Sequence, residues 1–388
     1  DMVNAFAIPG GYVYITRGLL ALAEDEAEVA AVLAHEMGHV NARHSAQQMS
    51  QGLLANIGLQ ALGVATGSNV ASQLGGVGAD LYLKSYSRGH EFEADALSIK
   101  YLSQAGYDVS ATERFLQKLE RSTQFEAKMQ GQAGAQQFSY LSTHPQTPDR
   151  VVRARQLAQQ VPQAANPTVN RSGYLQAISG TTYGDGGKDG FVRGNEFIHP
   201  QLKIRFAVPD GFAIKNTPKA VIADNKNGAL ILFDMARSDT TDAARFIAQQ
   251  WAPNAALNGE ERLDVNGLDG ATAETEMRGT SGSKQARLVA LSGGEGRFYR
   301  LLFLTPPGQM ANYATAFRRT TYSFVHDPKI AQAQPARIRV IGVRSGDTIA
   351  SMATRMRVAD YAAERFCLLN NLSPNDRLSV GEQVKIVE

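Results

Sequence analysis

The stretch Val29-Ala30-Ala31-Val32-Leu33-Ala34-His35-Glu36-Met37-Gly38-His39-Val40 decides how the rest of the chain is read. It predicts a helix with an H-E-x-x-H core. Side chains four apart stack on one helix face, so His35 and His39 aim both imidazoles at one point. Two neutral imidazole nitrogens make half of a tetrahedral zinc site. Glu36 flanks that face, placed to act as general base on a water. Asp25 to Glu28 has the D-x-x-E form of a capping box, and Val29, Val32, Leu33 and Val40 supply an apolar face. The competing reading is a surface helix that carries two histidines by chance; the cap and the apolar spacing weigh against it.

A catalytic zinc commonly takes two histidines and one carboxylate, so a third ligand has to come from elsewhere. A second helical pattern runs from about Ala79 to Ala105 and stops at Gly106, a suitable C′ residue. It carries Ser87-Arg88-Gly89-His90-Glu91-Phe92-Glu93-Ala94-Asp95. Glu91 is the expected third ligand. Asp95, one turn on, shares its face and is placed to orient a ligand imidazole. Glu93 points away from Glu91 and is the weaker choice; taken alone, the segment reads as an ordinary acidic face. The metzincin pattern needs a histidine where Ser45 stands, and His44, five residues past His39, falls off the ligand face. Ser110 to Glu113 forms another capping box, starting a helix to about Arg121, followed by a polar loop. In Ser142-Thr143-His144-Pro145-Gln146-Thr147-Pro148-Asp149-Arg150, Thr147 is the expected N-cap and Pro148 the first helical residue. His144 and Arg150 are groups suited to stabilising an oxyanion.

Composition narrows the class. A chain of 388 residues supports two or three domains, and 43% hydrophobic with 20% charged residues is ordinary globular protein. A net charge of +2 without a dense basic run gives no footprint for nucleic acid. Cys367 alone excludes an internal disulfide framework and a thiolate zinc cluster. No signal peptide and no apolar run long enough to span a bilayer is visible; Leu53 to Ala65, interrupted by polar residues and glycine, reads as a loosely packed helix inside a Gly-rich cover over 52–79. The start at Asp1 is compatible with removal of a leader. Near it, Phe6-Ala7-Ile8 and Tyr12-Val13-Tyr14-Ile15 flank Pro9-Gly10-Gly11, a hairpin whose edge either pairs with an extended peptide or only packs.

Residues 161–194 are rich in Pro, Gly, Asn and Ser and read as a linker or extended packing segment. From 195 to 328 strand patterns recur at Leu202–Val208, Ala220–Asp224, Ala229–Phe233, Ala271–Met277, Ala286–Leu291 and Phe298–Leu304, with helices near Thr241–Trp251 and Met310–Phe324. That suggests an α+β domain on a mostly antiparallel sheet, of unknown role. His199 before Pro200 reads as structural.

Together the N-terminal pieces resemble the zinc endopeptidase family that includes the CAAX prenyl protease, HtpX and periplasmic BepA. The resemblance covers residues 1–160 and rests on Asn4 to Gly11, the H-E-M-G-H helix, Ser87 to Asp95, and Ser142 to Arg150. It implies a mainly helical zincin-type (gluzincin) protease domain holding one zinc per chain through His35, His39 and Glu91. By the same resemblance Glu36 is the catalytic base, Asp95 supports a ligand, His144 lies beside the metal and Arg150 assists the transition state. In BepA-like members the residue matching His144 can take the fourth zinc position, which implies a self-inhibited resting state. The chain departs from the family in lacking the membrane spans of HtpX and any tetratricopeptide repeat. Residues 336–388, with Gly346-Asp347-Thr348 and Val380-Gly381-Glu382-Gln383-Val384-Lys385-Ile386, resemble a LysM module, a βααβ unit whose family binds peptidoglycan glycans. The expected whole is thus a multidomain α+β protein: a zinc metalloendopeptidase acting on peptide or unfolded-protein substrates in the bacterial cell envelope, in the periplasm and in association with the outer membrane, with a quality-control role. The alternative is a peptidoglycan-associated binding or chaperone-like protein with a latent metal site.

Overall fold

The computed structural model describes residues 2–8, 10–48, 50, 85–130, 140–145, 148–217, 219–279, 282–358 and 360–388. The helix expected at Leu53–Ala65, the cover at 52–79, residues 131–139 and the Thr147 cap lie outside them. Two compact units emerge: residues up to Gly184 together with Ala336–Glu388, and Asp185–Pro335.

The first unit opens with the hairpin β1 (Ala5–Ile8) and β2 (Tyr12–Ile15), paired antiparallel with Ala5 opposite Ile15. After α1 (Arg17–Leu22) comes the metal helix α2 (Glu26–Asn41). Asp25 caps it, accepting from the Glu28 N–H at 2.8 Å. Glu28 in turn accepts from Glu24 N–H, one residue before the cap. The expected apolar face is only partly realised. Val32 is buried, but Leu33 and Val40 are 37% and 38% exposed. The face that faces inward instead carries Glu28, Ala31, His35, Glu36 and His39.

The second helix, α3, spans Arg88–Ala105 and not the longer stretch from Ala79: residues 85–87 are non-helical, and Ser87 Oγ caps it by accepting from His90 N–H. It ends in left-handed Gly106. Helix α4 (Ala111–Gln130) runs well past Arg121. The Ser110–Glu113 capping box does not form there, because Ser110 Oγ bonds Asp108 while Glu113 pairs with Arg155. Short α5 (Tyr140–Thr143) and α6 (Pro148–Ala158) complete the surroundings of the site. Within 161–184, α7 (Arg171–Ile178) buries Tyr174, Leu175 and Ile178.

Residues 336–388 form β14 (Ile338–Gly342), α9 (Ile349–Ala353), α10 (Ala362–Leu369) and β15 (Gln383–Val387), with β14 and β15 antiparallel. Their Ile338, Met352, Phe366, Val384 and Ile386 share one hydrophobic cluster with Leu19, Val32, Phe115 and Leu175. Lys385, alternating with those apolar residues, is fully buried: its Nζ donates to the carbonyls of Ala21 and Ala23 and lies 2.9 Å from Glu24. The terminal strand thus reaches the residues that introduce α2.

The second unit holds a seven-stranded sheet in the order β6 (Ala213–Asn216), β7 (Val221–Asp224), β8 (Leu230–Arg237), β12 (Arg297–Thr305), β11 (Gly282–Ser292), β10 (Leu268–Gly279), β9 (Asn258–Val265), and a four-stranded one in the order β13 (Val325–His326), β5 (Ile204–Ala207), β4 (Glu196–His199), β3 (Phe191–Arg193). Every pairing in both is antiparallel. In β12 (Arg297–Thr305) the period of two sends Tyr299, Leu301 and Phe303 to one face, where Phe317 of α8 (Met310–Ser323) packs. Phe298, on the other face, stacks on Phe246 at 4.3 Å. Strands β3, β4, β6 and β9 escaped the sequence reading because they are short or strongly charged. His199 accepts from Leu202 N–H, a turn contact.

Candidate metal centre

Glycine 38 explains how the two helices come together. A Cβ there would lie 3.2 Å from the Cα and the carbonyl oxygen of Ala94, so any larger residue would push α3 away by a few tenths of an ångström. The approach brings His35 and His39 against Glu91. His39 Nε2 lies 3.0 Å from His35 Nε2 and 3.4 Å from Glu91 Oε1, while His35 Nε2 is 3.6 Å from Glu91 Oε2. His144, delivered by the turn after α5, puts Nδ1 3.1 Å from Glu91 Oε1 and Nε2 3.4 Å from Glu36 Oε1. Ligand atoms of His35, His39, Glu91 and His144 all lie within 4.8 Å of one another, and all four residues are buried.

The surrounding groups hold this set in one protonation pattern. Asp95 Oδ1 sits 3.0 Å from His35 Nδ1. That bond holds a proton on Nδ1, so Nε2 is the ring atom that would face an ion once its own proton is displaced. Arg150, 1% exposed, grips Asp95 with Nε and Nη2, both at 2.8 Å, and places Nη1 2.6 Å from Glu91 Oε2. A third bond from Nη1 reaches the Pro145 carbonyl. All three nitrogens thus contact the acidic side chains of α3 or the loop, which makes Arg150 their anchor.

Tyr140 was missed by the sequence reading. Its hydroxyl donates to Glu36 Oε1 at 3.3 Å, and its ring stacks on His144 at 4.3 Å. Nothing in its local sequence marks it, since the contact depends on α5 docking against α2. His44 stays outside the ligand cluster, as its spacing from His39 implies, yet it touches His39. The helix ends at Asn41, and Arg43 adopts a left-handed φ of 57°. Just beyond this break His44 Nδ1 lies 2.9 Å from His39 Nδ1.

Electrostatics follow from burial against these partners. Burial opposes protonation of His35, but its bonds to Asp95 and Glu91 outweigh it and lift the imidazole to about 9. His39 goes the other way: burial dominates and pushes it down to about 2. Burial raises the Glu91 carboxyl, yet His144, His35 and His39 more than reverse this, so it stays ionised well below the usual carboxylate range. Asp95 is likewise lowered, against burial, by Arg150 and His35.

The set fits a zinc ion: three imidazoles and an ionised carboxylate, all buried and with ligand atoms within 4.8 Å of one another, are the donor types and number that zinc takes.

Residues 1–158 match the model described as Peptidase family M48. This segment belongs to peptidase family M48. Such a domain is that of a zinc metalloendopeptidase, and zinc is its cofactor. Similar curated proteins include the Beta-barrel assembly-enhancing protease of Yersinia pestis, 33% identical over 188 residues that cover 46% of this chain and 36% of that protein. The protein of that name from Escherichia coli (strain K12) is 31% identical over 170 residues, 42% of this chain and 33% of its own. Mitochondrial metalloendopeptidase OMA1 of Arabidopsis thaliana is 35% identical over 145 residues, 37% of this chain and 27% of that one. The chain thus spans 27–36% of the length of these three relatives. Among the described residues no helix is long and apolar enough to cross a membrane.

Proposed function

We propose that this chain is a zinc-dependent endopeptidase of the cell envelope that hydrolyses peptide bonds in misassembled or unfolded proteins. His35, His39 and Glu91 would hold the ion, one per chain. Bound there, zinc would supply Lewis-acid polarisation of the scissile carbonyl and acidify a water. Glu36 takes the proton from that water and returns it to the leaving amine. The Tyr140 hydroxyl holds the Glu36 carboxylate towards the centre, and Arg150 fixes Asp95 and Glu91 so that the ligand face does not rotate. His144 is the oxyanion donor when substrate is present and, in its absence, the group that fills the remaining position and keeps the site latent. What carries the reading is the meeting of Glu36 with three buried ligands and a fourth histidine in one cluster.

Envelope localisation, in the periplasm and associated with the outer membrane, is inferred from the names of the beta-barrel assembly-enhancing relatives. For residues 336–388 the β–α–α–β order supports a LysM-like module, with peptidoglycan as its ligand; co-sedimentation of the whole chain with purified peptidoglycan tests that part.

The protease reading is tested by cleavage of an unfolded protein substrate. Glu36→Gln is expected to keep its zinc and lose roughly 10²–10⁴-fold in rate. A variant that cleaves like the wild type would reject the general-base role. In the same assay His144→Ala raises cleavage if latency dominates; a loss assigns His144 to the oxyanion alone.

A further inference from the structure

The two imidazoles of the H-E-x-x-H helix have different outer partners. His35 Nδ1 meets a carboxylate, Asp95. Facing His39 Nδ1 is another imidazole, His44 Nδ1, at 2.9 Å. His44 is fully buried, its Nε2 lies 3.3 Å from Glu93 Oε2, and its ring stacks on His90 at 4.2 Å.

Two neutral imidazoles joined nitrogen to nitrogen share one proton, so one ring donates and the other accepts. An ionised carboxylate only accepts, so Glu93 places a proton on His44 Nε2 and leaves a lone pair on His44 Nδ1. The proton between the rings then belongs to His39 Nδ1. That leaves His39 Nε2 with its lone pair directed at His35 and Glu91, the state a metal ligand requires.

We propose that His44, backed by Glu93, is a positioning residue that sets the tautomer and ring orientation of His39 for zinc. It does for the second histidine what Asp95 does for the first, through a neutral acceptor. This rests on the reading of His35, His39 and Glu91 as the zinc ligands.

The test is zinc affinity of the whole chain, measured by competition with a chromophoric chelator, alongside thermal melting of the zinc-free protein. His44→Phe keeps the ring and removes the acceptor; it should weaken zinc binding about 10–100-fold. His44→Asn, whose Oδ1 stands where the imidazole Nδ1 was, should recover most of that loss. A structural role would lower the melting temperature of both without this split. Wild-type affinity in His44→Phe, or equal losses in the Phe and Asn variants, would overturn the proposal. Should His44→Phe fail to fold, Glu93→Ala decides: its side chain is 59% exposed, and the proposal requires weaker zinc binding while unchanged affinity overturns it. A wild-type chain that binds no zinc would remove the metal site itself, and this inference with it.

Discussion

Among the described residues of the first unit, thirteen of the seventeen buried polar side chains are ionisable, including His35, Glu36, Glu91, Lys118, Arg150 and Lys385, against four that are not, Ser98, Thr112, Ser122 and Asn370. In the second they are Thr272, Thr275, Thr305, Thr320 and Thr321, hydroxyls throughout, among the described residues. Its core is instead aromatic, with Phe197, Phe206, Phe233, Phe317 and Phe324 in one cluster. Burying a charge is costly unless it is paired, and apolar replacements of buried ion pairs are often neutral or stabilising. A unit that keeps so many buried charges has a use for them, and the second unit reads as scaffold or binding surface built by apolar packing. The first unit holds two charged layers: the ligand cluster itself, and a ring around the start of α2 where Lys118 and Lys385 face Glu24 and Glu28.

The contrast can be broken most sharply by comparing one core residue from each unit. Phe317→Ala removes a ring stacked on Phe303 at 4.6 Å and should cost about 3–5 kcal/mol in unfolding of the second unit, with zinc affinity unchanged. Lys385→Met should cost about 3 kcal/mol in the first unit, because Glu24 and the Ala21 and Ala23 carbonyls lose a buried partner. Chemical denaturation with zinc-content analysis separates the two. If Lys385→Met proved neutral, the charged ring would be dispensable and the contrast would shrink to the ligand cluster.

A pH series sharpens it further. In the zinc-free protein His35 titrates near 9, above its ordinary 6.5. Its protonated form therefore stabilises the fold fully below about 6.5, and that contribution is lost as pH rises through 9. Zinc must displace the same proton, so apparent zinc affinity should rise about tenfold per pH unit over this window while zinc-free stability falls. Opposite slopes in chelator competition and melting, within the first unit alone, are the expected outcome. An affinity flat between pH 6.5 and 9 would show that His35 is neutral before zinc arrives.

How much of this was legible in the sequence depends on the range of the interaction. The pair His35 and His39 and the Asp95 position follow from helix periodicity, a local rule. Glu91 over Glu93 followed from combining that rule with the ligand count of zinc. Gly38 was silent, because its significance lies in the closeness of Ala94 on another helix. His44 stays outside the ligand set, as its spacing implies, but its contact with His39 was not legible, because α2 ends at Asn41 and Arg43 takes a left-handed φ that arginine does not announce. Lys385 looks like a solvent-facing residue of an alternating strand and lies in the core of the first unit. In the second unit alternation revealed the apolar strands, while charged β9 was hidden by its own composition.

The central claim is that two helices distant in sequence close on one cation through His35, His39 and Glu91. Zinc titration of the wild type and Glu91→Gln, with the zinc-free melting curves as control, tests it most directly. The account predicts one zinc per wild-type chain and binding weakened at least about 100-fold in Glu91→Gln, since a neutral amide replaces the only anionic ligand. Equal, stoichiometric binding by both proteins would contradict it.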